Sequence, residues 1–315
     1  MGAFMVRRSI GAILVMIVVS FVTYLIFVKI PGGDPAQRIA GKLATPQNII
    51  DIRHKLGLDK PFYIQYYDMM KQLLGGSLKS YSSQLNVWDQ IRLGLPATFS
   101  LCIGAGIIWL FFGVLVGIIS AITAGRLSDR VITVLALTGI AMPVFFLAIV
   151  TRYLLAEKTS VFPDSGYVAL SSNPVQWLYH LLLPWFCLSV LFIGFYARVV
   201  RSNILDALNE DYVRTARAKG LSPRRVLVKH VLRNSLIPIV TLFGLDFAAV
   251  LGGGAILTES VFNLHGVGQY AADSIQSLDL PPIMGVVIYA TFFIVVFNTL
   301  VDFLYAYLDP RIRTT

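Results

Sequence analysis

Six stretches of about 20 residues or more, each long enough to cross a bilayer core as a helix, set the terms for this chain. Residues 9–28, 97–123, 131–151, 174–197 and 280–301 contain no Asp, Glu, Lys or Arg, and residues 235–258 contain only Asp246. A soluble domain cannot hide that much apolar surface. Hydrophobic residues make up 56% of the 315 and charged residues 14%, against about 45–50% and about 25% in an average soluble domain. The excess must face lipid. The sequence therefore predicts an all-α, polytopic membrane protein with six transmembrane helices. Cys102 and Cys187 both lie inside apolar runs and read as small buried hydrophobes, not as a disulfide framework.

An even number of spans puts both termini on one side, and the short loops say which. With the N-terminus inside, the inner segments hold Arg7, Arg8, Arg126, Arg130, Arg311, Arg313 and nine further cations from Arg198 to Arg233. The short outer loops hold little beyond Lys158, with Arg152 at the edge of the third span. The orientation is N-in and C-in, in a membrane crossed several times. Residues 9–28 exceed the about 7–15 apolar residues of a secretory signal, and no small-residue cleavage pattern follows them. They read as a retained helix.

The outer segment opens with Pro31-Gly32-Gly33-Asp34-Pro35, which cannot continue a helix. Thr45-Pro46 is an N-cap followed by proline at N1, starting a helix to about Leu56. A second helix over 62–74, amphipathic along Ile64, Tyr67, Met70 or Lys71, and Leu74, completes a small helical extracytoplasmic cap. The expected division is residues 1–30 for the N-terminus and first span, 31–93 for the cap, and 94–315 for the remaining five spans. Within the last part lies a cytoplasmic loop over 198–235.

That loop reads as helix, tight turn, helix. Ile204, Leu208, Tyr212 and Ala216 form a stripe at helical spacing, with Glu210, Asp211, Arg214 and Arg217 around it. Gly220 fits the left-handed position that ends a helix, and Ser222-Pro223 restarts one. A basic helix-turn-helix can read DNA, but one tethered at both ends to a bilayer has little access to a groove, so no nucleic acid is expected. A solvated cationic loop explains the arginines but not the two capped helices. A docking element for a soluble partner explains both.

These residues also resemble a family. Asp211-Tyr212-Val213-Arg214-Thr215-Ala216-Arg217-Ala218-Lys219-Gly220, with His230 to Pro238 after it, is similar to the "EAA" loop of ABC-importer permeases. The B-type subunit of the dipeptide/oligopeptide/nickel group is the subtype it resembles. Further matches are Leu56-Gly57-Leu58-Asp59-Lys60-Pro61, Leu95-Pro96-Ala97-Thr98, Met142-Pro143, Gly252-Gly253 leading to Glu259, Phe262, Gly266 and Gly268, and Leu308-Asp309-Pro310-Arg311. The general pattern has Glu-Ala-Ala where this chain has Arg214, Thr215 and Ala216, so Glu210 or Asp211 would supply any acid contact. The resemblance implies ATPase coupling through Glu210, Asp211, Tyr212, Arg214, Thr215, Ala216, Arg217, Lys219, Gly220 and Leu221. It implies a second homologous permease, two ABC ATPase subunits carrying the ATP and Mg, and an extracytoplasmic solute-binding protein. The expected cargo is a di- or oligopeptide, with glutathione-like peptides or nickel chelates as alternatives.

The sequence has no G-x-x-x-x-G-K-[ST], no H-E-x-x-H and no G-x-S-x-G, and its four histidines are scattered. No cofactor or metal is expected on this chain, and no enzyme activity. Asp246 is costly in mid-span, by about 2.5–3.5 kcal/mol. It either lines a translocation cavity or hydrogen-bonds a neighbouring helix. With Gly252, Gly253, Gly254 and Glu259 it is a candidate pathway or gating residue, though packing also explains such glycines. An ion-driven secondary transporter using Asp246 is the rival from another class; no inverted halves support it. Arg152 is expected to snorkel to the outer headgroups.

Overall fold

The computed structural model describes residues 2–29, 35–41 and 45–308. The expected break at Pro31-Gly32-Gly33-Asp34 and the tail from Asp309 to Arg313 lie outside them. Regular structure is helical throughout the described residues, apart from one antiparallel bridge between Lys79 and Asn86.

The first span is α1 (Gly2–Lys29), and the cap follows as α2 (Pro35–Ala40), α3 (Pro46–Lys55) and α4 (Phe62–Leu74). Thr45 caps α3 as its sequence predicts: its Oγ1 accepts from the Asn48 amide at 3.3 Å. The buried face of α4 is rotated from the expected stripe. Met69 and Leu73 are buried, whereas Tyr67 and Leu74 are exposed. Apolar side chains occur all round this helix, so periodicity alone could not choose a face. α1 chooses it: Ser20 Oγ lies 2.8 Å from Tyr66 Oη, and Tyr24 Oη donates to Gln65 Oε1 at 3.2 Å.

The second span, α5 (Val87–Ile122), starts ten residues before the expected position. Asn86 Oδ1 caps it, accepting from the amides of Trp88 and Asp89 at 2.9 and 3.3 Å, and Pro96 lies inside the helix, not before it. The third expected span is broken. α6 (Leu127–Ala141) and α7 (Val144–Thr151), continued by a π-helical turn Arg152–Lys158, meet at 97°. Pro143 supplies no amide to the ladder, and Met142 before it is extended, at φ −83° and ψ 121°.

α8 (Pro174–Leu208) is the fourth span and packs along α5. Close approach is built in. A Cβ on Gly113 would lie 2.6 Å from that of Tyr196, and one on Gly117 would lie 2.7 Å from that of Val200. The cytoplasmic hairpin consists of α9 (Asp211–Ala218), α10 (Pro223–Arg225), a π-helical stretch Val226–Leu232 and α11 (Arg233–Ser235). α12 (Ile237–Ala249) and a π-helical turn Val250–Gly254 form the fifth span. Then come α13 (Ile256–Phe262), α14 (Val267–Ser277) and the last span, α15 (Leu280–Leu308). Five helices are thus long and apolar enough to cross a membrane, and the bent pair makes six.

Burial divides between two apolar clusters. The larger joins α5, α8 and the hairpin, from Leu101 and Trp109 to Val213 and Val231. The second joins the cap to the outer ends of α5, α14 and α15, through Tyr24, Leu73, Ile91, Val267 and Met284.

Candidate functional sites: a cytoplasmic hairpin and buried outer acids

At about 1.5 Å per residue, the 35 residues of α8 reach about 52 Å, well past a hydrocarbon core of about 30 Å. Its inner end presents the hairpin. The chain leaves the helix at Asn209 and re-enters it at Asp211, so the expected stripe is split. Ile204 is buried on α8, but Tyr212 is exposed on α9, whose buried side chains are Val213 and Ala216. This corrects Tyr212 as a packing residue. On the same helix Asp211, Arg214, Thr215 and Arg217 are exposed, as are Glu210 before it and Lys219 after it. The Asp211–Arg214 pair, 3.5 Å apart, is 96% and 71% exposed; such a pair contributes little by itself.

Gly220 closes α9 as its position predicts. Its φ is +76°, its amide donates to the Arg217 carbonyl at 2.9 Å, and the Leu221 amide donates to the Ala216 carbonyl at 3.4 Å. That pair of bonds is the Schellman motif. Pro223 starts the return helix, although Ser222 makes no side-chain cap bond. The return is fastened to α8 by a reciprocal pair: Asn203 Nδ2 donates to the Ser235 carbonyl (3.3 Å), and Ser235 Oγ donates to the Asn203 carbonyl (3.2 Å). Val226 and Val231 are buried beneath it. The result is a rigid unit with one apolar face inward and one polar face free.

The outer acids behave differently. Glu259 on α13 is fully buried. Thr98 Oγ1 donates to its Oε1 at 2.7 Å and the Gln269 amide to its Oε2 at 2.9 Å, while the Val267 amide donates to Thr98 Oγ1 at 2.9 Å. The first amides of α14 therefore find their acceptors on two other helices, since the N-cap, Gly266, has no side chain. Burial raises the Glu259 carboxyl above the usual range, against the pull of Thr98 and the amides of Gln269 and Gly268. Glu259, Thr98, Gly252, Gly253 and Tyr289 line one small cavity. A Cβ on Gly252 would lie 2.7 Å from the Ile294 side chain of α15. Gly253 has φ +147°, a conformation closed to other residues, and Gly254 follows it in the π-helical turn.

Asp246 is not part of that group. It is half-buried on α12 and accepts a 2.7 Å hydrogen bond from Tyr196 Oη on α8. Arg152 does not reach outward. Its guanidinium donates to the Val261 carbonyl at 2.7 Å, near the negative end of α13, and lies 3.4 Å from Glu157.

Sequence reasoning missed two further acids. Asp279, 5% exposed, accepts from Ser80 Oγ (2.6 Å), Ser82 Oγ, and the amides of Tyr81 (3.0 Å) and Ser82 (3.1 Å). It fastens the cap to the α14–α15 junction across almost 200 positions of chain. Asp129, 4% exposed, takes a two-bond fork from Arg201 at 2.7 and 2.8 Å, with Ser120 Oγ and the Gly125 amide as further donors. Its place in the first turn of α6 was the one available signal. Among the described residues, no three His, Cys, Asp or Glu side chains are grouped to hold a metal ion.

Five apolar helices and a broken sixth, carrying a braced hairpin with an exposed polar face, define a polytopic membrane protein. The chain belongs to the family described as "Binding-protein-dependent transport system inner membrane component", which matches residues 113–314. The companion N-terminal family of such membrane components matches residues 1–102. It is 37% identical to the dipeptide transport system permease protein DppB of Alkalihalophilus pseudofirmus, over 99% of this chain and 100% of that one. It is 36% identical to the di/tripeptide transport system permease protein DppB of Pseudomonas aeruginosa, over 94% of each. Among solved structures, an inward-facing form of the MetNI methionine ABC transporter has a chain that shares the fold. The TM-score is 0.55, with 16% identity, 77% of this chain covered and 98% of that one.

Proposed function

We propose that this chain is one of two membrane subunits of an ATP-driven importer of peptides. It forms half of the translocation pathway and takes its driving force from ATPase subunits docked on α9 and the Gly220 turn. The observation that carries this reading is the hairpin: Val213 and Ala216 anchor it, the Asn203–Ser235 pair braces it, and its charged face points away from the chain's own helices. A push on α9 then passes through α8 and α12, the two spans that flank it. Such a push can switch access only if the ATPases contact the two states differently.

Membership of the family supports the remaining parts of this reading. A second, homologous permease completes the pathway, and a solute-binding protein delivers cargo at the outer cap. ATP and Mg belong to the two ATPases; this chain binds no cofactor and catalyses nothing. The dipeptide and di/tripeptide names of its relatives support peptide cargo over metal chelates. Asp246, held by Tyr196, and the Gly252 to Glu259 segment are the proposed pathway and gating residues.

The test is reconstitution in liposomes with both ATPases, the second permease and the binding protein, measuring uptake of a labelled dipeptide. Uptake should require ATP, and replacing residues 210–221 with a Gly/Ser linker should release the ATPases. Uptake without ATP, or ATPases that stay bound to the linker variant, overturns the reading.

A further inference from the structure

On the inner half of the bundle, α5, α6 and α8 leave a cavity of about 110 Å³ between them. Ile132, Ala136 and Leu137 line it on α6, and Arg198 and Arg201 on α8. The two arginines differ. Arg201 is neutralised by the Asp129 fork, and that carboxylate is itself saturated by Ser120 and Gly125. Arg198 is exposed and has no ion-pair or hydrogen-bond partner among the described residues.

Its depth makes that isolation informative. Residues 174–197 carry no charged side chain, and at about 1.5 Å per residue they span about 36 Å, slightly more than a hydrocarbon core. Arg198 is therefore the first charge α8 meets as it leaves the inner leaflet. Of the α6 residues that line the cavity, Thr133 and Leu137 are exposed at its edge. An unpaired guanidinium at headgroup depth, beside a cleft whose α6 wall is Ile132, Ala136 and Leu137, with Thr133 and with Ser120 of α5 among them, fits a ligand with an anionic phosphate and a hydrocarbon chain. We propose that this cleft binds an anionic phospholipid of the inner leaflet, its phosphate on Arg198 and the start of one acyl chain against Ile132, Ala136 and Leu137. Basic pockets between transmembrane helices on the cytoplasmic side recognise lipids by this combination.

The test uses the full chain in its purified complex, in detergent, with bound lipid read by native mass spectrometry. Phosphatidylglycerol should be retained over phosphatidylcholine by about fivefold, as expected for one cation near the headgroup. Arg198→Gln should abolish that preference. Ala136→Leu keeps the charge but fills the cleft, and should lower phosphatidylglycerol retention in a complex that still assembles. Unchanged preference in Arg198→Gln overturns the proposal. So does full displacement of the lipid by inorganic phosphate at equal concentration, which would mark a free-anion site. A third overturning result is unchanged lipid retention together with altered uptake of free-acid relative to C-terminally amidated peptides, which would make Arg198 a wall of the pathway.

Discussion

The cytoplasmic hairpin and the outer α13–α14 segment handle charge in opposite ways. Around α9 the charged groups stand in solvent, and the one ion pair between them, Asp211–Arg214, is exposed on both sides. Around Glu259 and Asp279 each carboxylate is buried and answered by at least one donor from an element far away in the chain, Thr98 for Glu259 and the Ser80–Ser82 segment for Asp279. A buried polar group must be satisfied internally or it costs free energy; an exposed one is left available for a partner. The first arrangement is the one expected of the proposed docking surface, and the second marks a joint in the fold.

The sharpest way to break that contrast is at Glu259. Glu259→Leu leaves Thr98 Oγ1 and the amides of Gln269 and Gly268 without acceptors in a buried site. At about 1 kcal/mol or more for each orphaned group, the loss should reach about 3 kcal/mol. It should be read as a lower unfolding temperature in detergent and a reduced yield of folded protein. A Glu259→Leu chain as stable as the parent would show that the network holds nothing together. Asp279→Ala comes next. Its donors lie nearer the surface, where water can replace the lost oxygen, so about 2 kcal/mol is expected. The effect should be local: limited proteolysis should cut faster within residues 77–86 while the hairpin keeps its resistance.

The two regions differed just as much in how far the sequence revealed them. Every cue at the hairpin is local. Gly220 ends one helix, Pro223 opens the next, and the cations from Arg198 to Arg233 around them identify the inner face. The outer joints close over separations of 161 positions between Thr98 and Glu259 and 199 between Ser80 and Asp279, and no spacing rule connects residues so far apart. Glu259 could be singled out only through its motif, without its role as the acceptor for α14. Faces were the other failure. Helical period assigns Tyr67 on α4 and Tyr212 on α9 to packing; α4 is apolar on several sides, so its neighbour α1 decides, and the break at Asn209 resets the period before Tyr212. Met142-Pro143 stood in plain view, yet a run of uncharged residues says nothing about a 97° bend.

Gly220→Val sharpens the comparison from the hairpin side. No atom crowds a Cβ at that position, so the whole cost is the left-handed backbone at φ +76°, about 1–2 kcal/mol for a side-chain-bearing residue. The chain should still insert and keep its outer joints, because the turn shares no contact with them. What should fail is transmission: ATP hydrolysis by the assembled complex should continue while dipeptide uptake falls. Normal uptake by the Gly220→Val complex would separate the turn from coupling.

The smallest expected effect on the fold is the most pointed test of the hairpin's purpose. Arg214 and Arg217 are exposed on α9, whose buried side chains are Val213 and Ala216. Replacing both with alanine removes one weak surface pair and raises helix propensity slightly, so stability should change by no more than about 0.5 kcal/mol. If these arginines were merely the solvated inner charges of a membrane protein, nothing else would change either, since many cations remain to set the orientation. If they face a partner, ATPase retention on the purified complex should drop sharply, and the loss should deepen as salt is raised, because screening weakens the contacts that remain. Equal retention across the salt series in parent and variant would return this face to the solvent. Loss of the ATPases with an unchanged unfolding temperature would assign it to the partner, the division of labour that the outer acids, with all their bonds spent inside the chain, cannot share.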